Sequence, residues 1–372
     1  MKLTTEQVLS WRMRRQFLDR PPSAETTTII KRLCGVQAQV ASSAQHAVAV
    51  RRGTPDPTGV ADRLHDRTIV KTSAMRGTLH LLTTEDAPAY LSLMAAPRTW
   101  ERGSWQRVYV TVDQLAAITD AAREVLPGNL LTREELTAQI IGKTGDEQIA
   151  EHLRSGWGTV LKPLAWQGYL VYGPSDGNRV TFTSPETYLP GWTGLPAPEE
   201  AARTVIPTYL GAFGPASMAL FDQWLTRGMS KKAHLKSWFA DLEQSGTLTH
   251  VEVDGEPAYA RTEDLDDLAA ATPTTDVRLL PAFDQYVLGP GTANTQIIAA
   301  NRRAEISKTA GWISPVVLSG GRVAGTWTTD SGTLDVVLFT EAGPVSRRAI
   351  EEEAEHLGAV LGTSLRVAVQ TG

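Results

Sequence analysis

Ser245-Gly246-Thr247-Leu248-Thr249-His250-Val251-Glu252-Val253-Asp254-Gly255-Glu256-Pro257-Ala258-Tyr259-Ala260 reads as a helix end, a strand, a tight turn and a return strand. Asp-Gly between alternating apolar residues is a strong hairpin signal, because both central positions of a type I′ turn need positive φ. Apolar spacing from Lys231 through Trp238 and Leu242 places a helix immediately before it. The same pattern stands earlier in the chain. Trp157 to Tyr172 reads as helix and first strand, Pro174-Ser175-Asp176-Gly177-Asn178 as the turn, and Arg179 to Thr183 as the return. Gly168 and Gly246 fall at the same junction, where a helix C-cap hands over to the hairpin. A helix running into a two-stranded wing is the core of a winged helix, which makes duplex DNA the first partner to consider.

Outward from these two copies the signals are less regular. Thr4-Thr5-Glu6-Gln7 has capping-box spacing and opens a helix through Phe17, which Pro21-Pro22-Ser23 ends. A second helix is expected from about Ala24 through Leu33 towards Gln39, and Pro55 marks a loop. A short helix at Val60 to Leu64 and a strand from Met75 to Leu82 complete a third winged-helix candidate. After Asp276 the texture turns to strands: 277–280, 316–318, 322–328 and 334–338. A helix at 346–361 and a strand at 365–369 follow. The expected fold class is α+β, with three tandem winged-helix units and a β-rich C-terminal domain forming a concave DNA-binding surface. The expected segments are 1–110, 111–190, 199–270 and 276–372, with the Pro- and Gly-rich stretch 190–198 as linker.

Composition fits an ordinary globular protein of 372 residues. No run of eighteen apolar residues and no signal-like N-terminus is present, so the expectation is a cytoplasmic, nucleoid-associated protein that avoids membranes. The single Cys34 excludes a disulfide scaffold. Net charge is −5, yet residues 1–110 carry +7 and residues 111–372 carry −12. The basic third is the part suited to phosphate, although solvated helix faces would give the same split.

Chemistry-bearing motifs are sparse. The seven His are dispersed, and neither paired-Cys spacing, a glycine-rich phosphate loop nor Gly-x-Ser-x-Gly occurs, so no metal and no cofactor is expected. The segment that stands out is Val36-Gln37-Ala38-Gln39 in the basic third. Residues i and i+2 share a side only in extended backbone, so joint action of the two amides needs a helix end or irregular backbone, which Gly35 supplies. Arg12, Arg14 and Arg15 crowd the first helix, and Lys231-Lys232 open the last helix before its wing. Both clusters are phosphate-contact candidates. Arg76 and His80 share a strand, with His80 either near the Gln pair or a satisfied core histidine. The hairpin tip Gly320-Gly321-Arg322 is a candidate element for reaching into a groove.

Several of these motifs, in order, resemble the winged-helix DNA glycosylases of the AlkZ and YcaQ type. The resemblance runs through Val36-Gln37-Ala38-Gln39, Arg76-Gly77-Thr78-Leu79-His80, the two later helix–wing copies, Leu280-Pro281-Ala282-Phe283-Asp284, and Gly311-Trp312-Ile313 leading to Gly325-Thr326-Trp327. It implies that Gln37 and Gln39 are catalytic. The implied activity is a monofunctional glycosylase on N7-alkylated guanine that unhooks interstrand crosslinks and leaves an abasic site. In this family the Gln-x-Gln form goes with self-resistance to a DNA-crosslinking natural product. The implied partner is double-stranded DNA bearing alkylated or crosslinked guanine, bound by a monomer. The competing reading is a non-enzymatic winged-helix DNA-binding protein, a regulator or repair scaffold.

Overall fold

The computed structural model describes every residue except Pro22, Ser23, Pro55 and Trp157, and at Ala310 the backbone alone. The Pro22-Ser23 helix stop, the Pro55 loop marker and the Trp157 start of the earlier helix–wing copy therefore lie outside the described residues. The fold is α+β, and the chain forms two compact units. The first comprises Met1–Val60, Ile206–Trp224 and Phe239–Gly372, the second Ala61–Val205 and Leu225–Trp238.

In the first unit, strand β1 (Lys2–Leu3) pairs parallel with Leu248–Val253, which in turn pairs antiparallel with Glu256–Arg261. Val253 and Glu256 are register partners, leaving Asp254 (φ 48°) and Gly255 (φ 90°) as the two-residue turn that the sequence requires. Helix α1 (Thr5–Arg15) opens with a reciprocal capping box between Thr4 and Gln7. Its Val8 and Trp11 pack on Val251, Val253 and Ala260 of the hairpin. The larger sheet runs Val277–Leu280, Val316–Ser319, Arg322–Asp330, Thr333–Leu338, Arg366–Thr371, antiparallel except for its last pair.

Alternation along these strands builds two cores. Val277, Leu279 and Val317 face Ile350, Ala354 and Leu357 of the helix Arg347–Leu361. Leu280, Val316 and Leu318 face the opposite way, onto Leu9 and Met13 of α1. A side-chain period of two dictates this division, and both faces are apolar because both are covered.

In the second unit one sheet joins the expected wing to a hairpin whose first strand was not expected. Strand Ile69–Ser73 pairs antiparallel with Leu79–Thr83 and, through Lys71 and Tyr172, with Val171–Tyr172. That strand pairs with Thr181–Thr183, which pairs with Leu131–Thr132. Helices Val112–Val125 and Arg133–Thr144 both start at capping boxes, Thr111 with Gln114 and Thr132 with Glu135.

Gly168 (φ 78°) ends the short helix Lys162–Trp166, with the Tyr169 amide donating to Leu164 O at 2.9 Å. Gly246 (φ 75°) does the same for Lys232–Gln244, with Thr247 N donating to Leu242 O at 2.9 Å. Only Gly takes such φ without strain, so these positions set where each helix yields to its hairpin.

Two local expectations change. The strand expected from Met75 begins at Leu79, because Arg76 (φ 59°) and Gly77 (φ 68°) turn the chain between the two strands. The helix expected to reach Gln39 stops at Arg32, for reasons that shape the site.

Candidate functional site

Helix α2 (Thr26–Arg32) closes through two consecutive residues of positive φ, Cys34 (55°) and Gly35 (90°). The Gly35 amide donates to Ile30 O at 2.9 Å and the Cys34 amide to Lys31 O at 3.1 Å, satisfying carbonyls that a helix end leaves open. The chain then extends as β2 (Val36–Gln37), and helix α3 (Ala41–Ala49) begins one residue past Val40. Gln37 is 6% exposed, whereas Gln39, two positions on, is exposed. The amide pair thus steps from interior to surface on non-helical backbone.

The segment is anchored behind. Val40 packs on the core that contains Val50, Phe283 and Ile313. At the far end of α3, Arg51 and Asp284, both without solvent exposure, form a two-pronged ion pair with both N···O distances 2.7 Å. Arg51 also donates to Gln16 O at 3.0 Å and Ala47 O at 2.6 Å, and Asp284 accepts from the Tyr286 amide at 2.8 Å. Leu280-Pro281-Ala282-Phe283-Asp284 thus ends in the carboxylate that pairs with Arg51. Its Phe283 holds φ at 61°, a strained value for an aromatic residue. Phe283 also meets Trp312 edge to face, with centroids 5.1 Å apart, and Trp312 is 43% exposed. The exposed Trp312 escaped the sequence reading because nothing in Gly311-Trp312-Ile313 separates a surface indole from a core one.

The cationic candidates divide. Arg12 is buried, donating to Gly214 O at 3.0 Å and Pro215 O at 3.1 Å, so its assignment to DNA is corrected: its guanidinium joins α1 to the loop at 214–215. Arg15 is half-buried, donates to Gly211 O at 3.1 Å and lies 3.7 Å from Asp264, with burial lowering its pKa. Arg14 is exposed. Arg32, on the last turn of α2, is pushed down to about 10 by burial and then by Arg15 and Arg261.

Arg76 is half-buried at its turn. His80 is fully buried, with Nδ1 donating to Thr78 O at 3.0 Å. Burial, and Arg76 after it, push its pKa down to about 3, so it is a neutral core histidine and its DNA-contact assignment is corrected as well. Lys231 and Lys232 are exposed at the start of Lys232–Gln244.

At the Gly320-Gly321 turn, Gly321 is buried, Gly320 half-buried and Arg322 exposed. Gly321 O accepts from the Tyr286 hydroxyl at 2.8 Å, and a Cβ on Gly321 would lie 2.8 Å from Leu9 Cβ. Arg322 donates to Gln296 O at 2.8 Å and pairs with Glu6 at 3.1 Å. Among the described residues no group of three His, Cys, Asp or Glu side chains is placed to hold a metal, and no helix is long and apolar enough to cross a membrane.

The chain belongs to the AlkZ-like DNA glycosylase family, whose model matches residues 30–360. It is 44% identical over 366 residues to the interstrand DNA cross-link repair glycosylase of Streptomyces sahachiroi, covering 98% of each chain. The solved structure of the Streptomyces sahachiroi DNA glycosylase AlkZ matches with a TM-score of 0.94 at 43% identity, over 100% of both chains.

Proposed function

We propose that this chain hydrolyses the N-glycosidic bond of N7-alkylated guanine in duplex DNA, unhooks interstrand crosslinks, and leaves an abasic site with the strand intact. Its cellular role on this reading is resistance to a DNA-alkylating natural product, exercised as a monomer in the cytoplasm at the nucleoid. The observation that carries the reading is the passage from buried Gln37 to exposed Gln39, in a chain so similar throughout to a crosslink repair glycosylase.

An N7-alkylated guanine is cationic, so the departing base is already activated and little acid catalysis is needed. The remaining tasks are to place water at C1′ and to stabilise an oxocarbenium-like sugar. A neutral amide is no general base, but its oxygen accepts and its NH2 donates, which suits it to holding water in one orientation. Gln39, at the surface, meets the water and sugar, while Gln37, held in the interior, fixes the geometry behind it. Arg14, Arg15, Arg76, Lys231, Lys232 and the Gly320-Gly321-Arg322 turn remain as candidate DNA contacts.

Incubating the protein with a duplex carrying N7-alkylguanine or a guanine–guanine crosslink should yield heat- and alkali-labile abasic sites. Gln37→Ala and Gln39→Ala should each lower the single-turnover rate by about 10²-fold or more, the range seen when a preorganised polar group is removed from an active site. Wild-type protein that releases no base ends the proposal, and variants as fast as wild type remove the two amides from it.

A further inference from the structure

Among the described residues Trp312 is the one exposed tryptophan, with 43% of its surface open to solvent. It stands on a short hairpin of the first unit. Ser307 and Ile313 bridge antiparallel, the Ser314 amide donates to Ile306 O at 2.9 Å, and the Lys308 amide donates to Trp312 O at 2.9 Å. Lys308 and Trp312 are therefore the next pair out, facing each other across the tip Thr309–Gly311, both in extended backbone. Opposite residues of an antiparallel pair carry their side chains on one face, about 5 Å apart at Cβ. Ile313 points the other way, into the core, so an indole and an exposed ammonium stand side by side on the outer face.

This hairpin is braced. Ser314 Oγ donates to Glu305 O at 2.9 Å, and Phe283 meets the indole edge to face with centroids 5.1 Å apart. Phe283 is followed by Asp284, whose carboxylate holds Arg51, and Arg51 donates to Ala47 O on the helix that begins just past Gln39 and Val40. The nine residues of α3 cover about 14 Å, against about 34 Å for one turn of duplex, so a duplex engaged at Gln39 extends well past the helix. Charge on the hairpin is one-sided. Arg302 takes Glu305 at 2.9 Å, while Arg303 and Lys308 are exposed and pair with no carboxylate among the described residues.

A partner for this face must offer a flat apolar surface to the indole and negative charge to the ammonium. Nucleic acid supplies both, a base and its phosphate, whereas an apolar protein surface would leave the cations unanswered. We propose that Trp312 and Lys308 form a contact to duplex DNA in which the indole packs on a nucleobase and the ammonium takes the adjoining phosphate, an inference that rests on the glycosylase reading above for DNA as the partner. An aromatic wedge set against the stacked bases and a cation on the backbone together fix how the duplex lies on the protein.

Two measurements on the full chain, both with a short undamaged duplex, test the contact. N-bromosuccinimide oxidises accessible indoles; mapped by mass spectrometry, Trp312 should be oxidised in the free protein and protected by bound duplex, but not by inorganic phosphate at the same phosphate concentration. In binding titrations Trp312→Ala should raise Kd by about 5- to 150-fold, the loss found when a base-stacking aromatic is removed, with the slope of log Kd against log salt as in wild type. Trp312→Phe should recover most of that affinity, and Lys308→Gln should lower the slope by about 0.9, the value for one lost phosphate contact. Equal oxidation of Trp312 with and without duplex, wild-type affinity in Trp312→Ala, a Phe variant as weak as the Ala variant, or a wild-type slope in Lys308→Gln would each overturn the proposal. The oxidation uses wild-type protein, so it decides even where an Ala variant fails to fold. Failure of the glycosylase reading is separate, since it shows as wild-type protein that binds duplex yet releases no alkylated base.

Discussion

Replacing Arg51 by Met tests how the amide segment is supported. The wild-type guanidinium makes four donations, two to Asp284 at 2.7 Å and one each to Gln16 O and Ala47 O, with both charged partners at zero exposure. Met fills much of the same volume but donates nothing, so the Asp284 carboxylate keeps only the Tyr286 amide and two buried carbonyls lose their donor. Removing one partner of a buried pair costs about 3–5 kcal/mol, because the other charge stays desolvated. Asp284→Leu added to Arg51→Met removes the stranded carboxylate and should return part of that loss.

Two units need not unfold together, so the informative assay is native-state hydrogen exchange at the Val50 amide, which donates to His46 O near the end of α3. Its exchange should speed up by about 10²- to 5 × 10³-fold, the rate equivalent of that energy at about 1.36 kcal/mol per decade. Acceleration of less than about fivefold, roughly 1 kcal/mol, would refute the argument that this pair holds α3 in place.

Two further outcomes follow from buried groups. His80 is neutral in the folded state, with its pKa near 3 against 6.5 unfolded. Its contribution is therefore intact above pH 6.5 and declines as pH falls towards about 3, by at most about 1.4 kcal/mol per pH unit from this one site; urea titrations of wild type and His80→Leu across that window should diverge, and parallel curves would contradict the assignment. Gly321→Ala combines φ 81° with a Cβ 2.8 Å from Leu9 Cβ, so it should lower stability by about 1–3 kcal/mol in thermal unfolding, whereas an unchanged Tm would mean that the turn gives way freely.

Much of the secondary structure was legible because local chemistry decides it. Asp254-Gly255 determined the hairpin turn, Thr4 and Gln7 the capping box of α1, and alternation the strands after Asp276. What was not legible depends on distant partners. The sequence carries Gly35 but gives no sign that Cys34 also takes positive φ, which costs a side chain energy that only packing repays. Arg12, Arg14 and Arg15 are equivalent as letters, and their fates diverge because Gly214 O and Pro215 O wait for one of them about two hundred residues along the chain. The Gln pair could be found by its motif. Its division into a buried and an exposed amide could not, because the strand ends at Gln37 and the bend at Gln39 and Val40 carries the second amide out of the core.

Arg51 and Asp284 lie 233 residues apart in sequence. At a synthesis rate of about 5–20 residues per second, the arginine leaves the ribosome roughly 10–50 s before its counter-ion exists. During that interval the nascent arginine has no carboxylate to pair with, so the buried charge at the end of α3 is compensated only late in translation.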